Sequence, residues 1–385
     1  MPARHNTTVF TVLVSTVMLV GALAIGVVLL LSGAPLALVT GTVLAAVPVA
    51  PLIACYLWLD RYEPEPRSLL VLGLGWGAFV ATTIALVLQA VDTFAFGDGQ
   101  AITAVVVAPL TEEAAKGLFI VLLLFYRRQE LDGILDGIVY AGMVGIGFAF
   151  VENILYLTSA YMGDNGATGG LEGAVGLFVI RCLFSPFAHP LFTAFTGVGV
   201  GIAVSSRRRM VRFGAPVVGY LLAVCAHGLW NGALMVDHGR GAVSAYLFLM
   251  VPAFLLFAGF AVWARAREGR MLTSALADCA KRGFLDPSEI PWLVRLPARR
   301  ACRRYAQRAG GTPARRTMAA YQREAIELAY LHHRYLRGTA PAGFEALGQQ
   351  HVEALRALRP RLLWPVANGV SGARPVPSHR SGEAR

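Results

Sequence analysis

Charge is scarce in this chain. Only 15% of its 385 residues are Asp, Glu, Lys or Arg, and the mean hydropathy is +0.57. Both values exclude a soluble globular domain, whose charged share is about 25%. Cysteine is sparse too. Cys55, Cys182, Cys225, Cys279 and Cys302 form no CxxC pair, and three of them lie in or near apolar runs, so neither a disulfide framework nor a cysteine-ligated metal is expected. No segment repeats at a fixed period. No pair of interrupted apolar segments recurs in corresponding halves, which argues against an inverted-repeat transporter.

What the chain has in quantity is apolar sequence. Crossing a hydrocarbon core takes about 20 helical residues, and runs of that order lie at 9–31, 36–59, 68–94, 101–126, 134–159, 174–205, 214–236 and 243–264. The fold class that follows is an all-α polytopic membrane protein of about eight transmembrane helices, set in the cell membrane. The first run is longer than the apolar core of a signal peptide and only Arg4 adds charge before it, so a retained helix is expected. Arg127 and Arg128, and Arg207, Arg208 and Arg209 with Arg212, mark cytoplasmic loops, whereas 160–172 has no Lys or Arg. Both termini then face the cytoplasm.

The positive charge sits past the last run. From Ala264 onward 22 Lys or Arg stand against 9 Asp or Glu, a net of +13, while the residues before carry 12 against 14, a net of −2. A basic cytoplasmic tail beside a bilayer is expected to attract anionic lipid headgroups, in preference to nucleic acid. Helical pieces are expected at about 268–282, 295–309 and 314–336, followed by a Pro/Gly/Ser-rich end. The domain reading is a transmembrane domain over 1–264 with its motif-bearing core at 108–231, a basic helical cytoplasmic region over 265–365 and a disordered tail over 366–385.

Local signals divide the spans. Pro64 and Pro66 with alternating charges end the second span in a turn from Asp60 to Arg67. Asp136 is expected to cap the fifth span by accepting from a free backbone N–H. Pro186 and Pro190 predict a break just before His189, and Gly197, Gly199 and Gly201 predict close helix contact.

Against this apolar background, four of the long segments carry ionisable or amide side chains: Glu112, Glu113 and Lys116; Glu152 and Asn153; His189; His227 and Asn231. A charged group in such a helix costs roughly 2.5 to 3.5 kcal/mol on insertion scales, so a shared polar site is the expected explanation. Depth supports it. Glu113, Glu152, His189 and His227 lie 14, 16, 18 and 15 residues from Arg127, Asp136, Arg207 and Arg212, which is about 20–27 Å along a helix. Residues four apart share a face, so Glu112 pairs with Lys116 and His227 with Asn231. Glu113 lies about 100° round from Glu112, leaving open which carboxylate faces a cavity. Phe148 reads as packing, Lys116 as a partner for either glutamate, and Asn153 and Asn231 serve equally well as helix-to-helix hydrogen bonds.

Two histidines with several carboxylates suit peptide hydrolysis in two ways. In one, His189 and His227 with Glu113 or Glu152 ligate a divalent metal such as zinc, which acidifies a bound water and polarises the scissile carbonyl. In the other, a Glu with a His deprotonates water directly, and His227 with Asn231 supports the oxyanion. HExxH and GxSG are absent, no paired Asp lies mid-membrane, and Ser185 beside His189 is a weak nucleophile signal. The same Glu and His residues would serve a proton- or cation-coupled transporter, or would pair helices in a non-catalytic scaffold or sensor.

Over about residues 50–235 the chain resembles the PrsW family of intramembrane proteases, relatives of the CAAX prenyl endopeptidase and bacteriocin-immunity superfamily. The resemblance rests on Pro109 through Lys116, Asp136 to Tyr140, Gly147 through Asn153, His189 with Phe192 and Thr193, and His227 to Asn231. It implies cleavage of a single-span membrane protein near the outer face, as in regulated proteolysis of an anti-sigma factor. By the superfamily pattern Glu112 and Glu113 hold the water-activating carboxylate, His189 assists, and His227 with Asn231 completes the site. Glu152 stands where relatives often place His, so the resemblance leaves metal dependence open. The topology is tested by cysteines introduced at Asn165 and Asp237: both are expected to react with an impermeant thiol reagent added outside, and labelling from the inside alone would overturn the orientation.

Overall fold

The computed structural model describes residues 2–97, 100–164, 168–236 and 240–365. Asn165, Asp237 and the tail 366–385, for which disorder is expected, lie outside these residues. The chain divides into two compact units, Met1–Met271 with Leu336–Thr339, and Leu272–Tyr335 with Ala340–Arg385. The first contains helices α1 (Pro2–Leu31), α2 (Pro35–Leu59), α3 (Arg67–Ala95), α4 (Ala108–Tyr126), α5 (Ile134–Met162), α6 (Gly170–Phe178), α7 (Ala188–Val204) and α8 (Arg209–Met235). Helix α9 (Val251–Lys281) starts there and runs past its end.

Seven helical stretches among the described residues are long and apolar enough to cross a membrane, and the protein is a multi-pass membrane protein. The eighth expected span, 101–126, is helical from Gln100 to Tyr126, but by composition it does not qualify. Glu112, Glu113 and Lys116 place three charges in it, and all three side chains are buried inside the bundle. Apolar side chains such as Leu19, Leu23, Leu221 and Leu222 are exposed on the surface of the first unit, as a lipid-facing wall requires.

Helix α5 is the axis of the bundle, and small residues let its neighbours close on it. A Cβ on Gly137 would stand 2.1 Å from the Gly197 carbonyl oxygen of α7, and one on Gly197 would stand 2.1 Å from that of Gly137. At Gly145 a Cβ would meet the Pro190 Cα at 2.7 Å and the His189 oxygen at 2.9 Å. The first turn of α7 therefore rests directly on α5, which brings His189 alongside Glu152. The break expected before His189 is present. A π-helical turn, Val179–Phe184, ends the preceding segment, and Ser185 Oγ turns back to donate to Ile180 O at 2.8 Å. Asp136 does cap α5, accepting from the Asp132 and Gly133 N–H groups at 2.8 Å each.

The second unit contains all but the last two residues of α10 (Leu296–Arg337), which is broken at Gly310 and Gly311, and α11 (Phe344–Leu358). The break falls where 295–309 and 314–336 were expected to separate, and Gly311 takes φ of 67° there. The piece expected at 268–282 is helical and continues α9, since nothing between Ala264 and Lys281 stops a helix. Helix α11 lies within the expected helical region 265–365 but outside the three expected pieces, and Val352 and Leu355 bury its apolar stripe. Cys302, Ala306 and Met318 form a small core with Trp292 and Trp364.

At the end of α5 remote from Glu152, the Asp60–Arg67 turn is held by buried acids. Asp60 accepts from the Glu65 N–H at 2.8 Å, and Glu65 accepts from the Tyr140 hydroxyl at 2.5 Å. Burial, with the negative charges of Asp136 and Glu268 adding, pushes the Asp60 carboxyl up to about 8. Burial and Asp136 push Glu65 up to about 11. A pKa raised by folding stabilises fully below the unfolded value, about 3.9 for Asp, and the benefit is lost as pH rises through the folded value. The melting temperature in detergent is thus expected to fall by several degrees between pH 5 and 9, and Asp60→Asn is expected to flatten that dependence. An equally steep profile in the variant would refute the assignment.

Candidate active site

The site is assembled from α3, α4, α5, α7 and α8. On α4, Glu112 and Glu113 straddle Lys116, whose ammonium lies 3.2 Å from Glu112 Oε2 and 2.9 Å from Glu113 Oε1. The α4 backbone is fixed beside them by Trp76 of α3, whose indole N–H donates to Ala115 O at 2.9 Å. Lys116 is fully buried. It also donates to His189 Nδ1 at 3.2 Å and lies 3.7 Å from the centre of the Phe148 ring, so Phe148 packs against the charge as well as the core.

Each histidine is gripped by a carboxylate at its far nitrogen. His189 Nε2 is 2.7 Å from Glu152 Oε2, and His227 Nδ1 is 3.1 Å from Glu113 Oε1. A carboxylate only accepts and an ammonium only donates. His189 therefore carries its proton on Nε2 and presents the Nδ1 lone pair to Lys116, while His227 carries its proton on Nδ1 and presents Nε2. That Nε2 lies 3.9 Å from Glu112 Oε2. The two rings are 5.1 Å apart, and Phe192 stacks on His227. Thr193 donates to Glu113 Oε2 at 3.0 Å, and Gln89 donates to Glu112 Oε1 at 3.2 Å.

A cavity of about 770 Å³ reaches this group, and Glu112, Glu152, His189 and Asn231 border it. Glu113 and Lys116 have no exposed surface and lie behind its wall. Glu112, His189 and His227 offer ligand atoms within 4.8 Å of one another. Two imidazoles and a carboxylate suit zinc, so this donor set fits a divalent metal. Glu113 and Glu152, expected beside the histidines as ligands, instead contact the opposite ring nitrogens.

Both amide residues line the cavity, each with one amide atom already engaged. Asn231 shares the His227 side of α8, but its Nδ2 donates to Ala104 O at 2.9 Å. Asn153 accepts from Arg181 Nε at 2.7 Å. Arg181 was missed altogether. From the π-helical turn before the break, its Nη2 reaches Glu152 Oε2 at 2.6 Å, and its guanidinium covers the Tyr156 ring at 4.1 Å. An arginine inside an apolar run was the available signal.

A family model described as PrsW family intramembrane metalloprotease matches residues 65–257. The chain is similar to Protease PrsW of Geobacillus kaustophilus, 31% identical over 197 residues, 50% of this chain and 79% of the relative. It is also similar to Protease PrsW of Oceanobacillus iheyensis, 28% identical over 210 residues (54% and 87%), and of Bacillus subtilis, 28% identical over 229 residues (58% and 95%). No solved structure matches.

Arg181→Ala strips Glu152 of its guanidinium in an apolar setting. The pair is part-buried, and leaving a charged group without its partner there costs about 1–3 kcal/mol, so a lower melting temperature in detergent is expected, and Arg181→Lys is expected to recover part of it. An unchanged melt in the alanine variant would show that the pair contributes nothing.

Proposed function

The chain belongs to the PrsW family of intramembrane metalloproteases, and on that footing we propose that it cuts a single-span membrane protein, of the anti-sigma-factor kind, near the outer face of the membrane, with both its own termini in the cytoplasm. The observation that carries this reading is the convergence of Glu112 and both imidazoles, with Glu112 and His189 at the wall of a cavity large enough for an unwound peptide segment. A transmembrane helix hides its scissile carbonyls in its own hydrogen bonds. The substrate must therefore unwind locally, and the polar groups around the cavity give the freed backbone partners.

Glu112, His189 and His227 would hold the metal. When bound there it acidifies a water and polarises the scissile carbonyl. Glu152 and Glu113 keep the two imidazoles oriented and their lone pairs free, the usual part of a carboxylate behind a ligating histidine. The proton given up by the attacking water passes to Glu152, the cavity-facing carboxylate outside the ligand set, and from there to the leaving amine. Asn231, on the cavity wall, offers its remaining amide N–H to the oxyanion. The basic region after Ala264 binds anionic lipid headgroups at the inner leaflet.

The test is reconstitution of the full chain in liposomes with a panel of single-span membrane proteins. Glu112→Gln and His227→Ala are each expected to lower cleavage by at least about a hundredfold while the protein still elutes as a folded species. Cleavage retained in Glu112→Gln would overturn the reading.

A further inference from the structure

Lys116 is one of two lysines in a chain that is otherwise basic through arginine, and the other, Lys281, lies outside the site. An ammonium has three N–H donors. Here they meet Glu112 Oε2 at 3.2 Å, Glu113 Oε1 at 2.9 Å and His189 Nδ1 at 3.2 Å, with the Phe148 ring closing the remaining side. This is a complete shell around a compact cation. A planar guanidinium would not fit it equally well.

Two of these three partners belong to the set that fits a metal. Glu112 and His189 give Lys116 the atoms, Oε2 and Nδ1, that they would give a metal. The other nitrogen of His189 carries a proton and is held by Glu152 at 2.7 Å. A metal bonded to Nδ1 at about 2.0–2.1 Å would displace the ammonium there, because that nitrogen has a single lone pair and it is aimed at Nζ, and at Glu112 Oε2 the metal would lie beside the ammonium. Like charges in a low-dielectric interior also repel strongly. The two cations compete for one seat.

We infer that Lys116 is a resident counter-cation of the metal seat: its ammonium holds Glu112 and His189 in the metal-free protein and gives them up when the metal enters. This rests on the reading that Glu112, His189 and His227 hold the metal. It accounts for a fully buried lysine in an apolar bundle. Before the metal arrives, two adjacent carboxylates buried in that bundle need a positive charge, and Lys116 supplies it. The cost is a weaker affinity for the metal. Lys116 is thus a positioning residue that sets metal occupancy.

The experiment measures zinc and cobalt affinity of the full chain in detergent by chelator competition, for the wild type, Lys116→Met and Lys116→Arg. Melting temperatures with and without metal are read alongside. The methionine variant is expected to melt lower than wild type without metal, to gain more on metal addition, and to bind about ten- to a hundredfold more tightly. The arginine variant keeps the charge and is expected to bind no more tightly than wild type. If Lys116→Met does not survive purification without metal, it is prepared with zinc and the release rate to chelator is compared, with slower release expected. Equal or weaker binding by Lys116→Met would overturn the inference, as would the absence of metal binding in every form. Substrate cleavage by the wild type, scored separately, distinguishes failure of this inference from failure of the protease reading.

Discussion

A carboxylate buried among membrane helices has to find its counter-charge and its hydrogen-bond donors within the protein, because hydrocarbon supplies neither. The contact of Lys116 with Glu112, Glu113 and His189 meets that demand, and the rest of the site is arranged around it. Glu113 passes the constraint to α8 through His227 and to α7 through Thr193. His189 passes it to α5 through Glu152, and Glu152 to the segment before the break through Arg181. Four helical elements are tied to α4, directly or in succession, by bonds in which at least one partner is ionisable, and such bonds strengthen where water is excluded.

Such a network needs helices that approach closely. Gly137, Gly145 and Gly197 provide the approach, and the bare backbone at Gly145 seats the first turn of α7 directly below His189. Packing and polar chemistry are not separate layers here. A side chain at Gly145 would move His189 away from Glu152 even though neither the glycine nor its replacement touches the reacting atoms.

The break between the π-helical turn and α7 also serves both ends. The wide turn frees backbone groups that Ser185 partly satisfies, and it lets Arg181 and His189 reach Glu152 from opposite sides of one discontinuity. Irregular backbone of this kind persists at membrane depth only inside protein or against a polar cavity, and Arg181, Ser185 and Pro186 all line the cavity.

Much of this was legible in the chain itself. Apolar run lengths and the poverty of charge determine a helical membrane protein, and residue counts from the charged residues at the segment ends place Glu113, Glu152, His189 and His227 at one depth, and the structure brings them together. Those inferences hold because rise per residue and the cost of charge in lipid are properties of one helix at a time. Rotation and partner choice are not. Only the tertiary structure decides that Glu112 faces the cavity while Glu113 faces inward, which nitrogen of each histidine is presented, that Asn231 bonds to Ala104, and that Arg181 completes the Glu152 pair. These depend on how helices distant in sequence cross, and a crossing is set by packing and by which polar groups remain unsatisfied, quantities that no single segment contains.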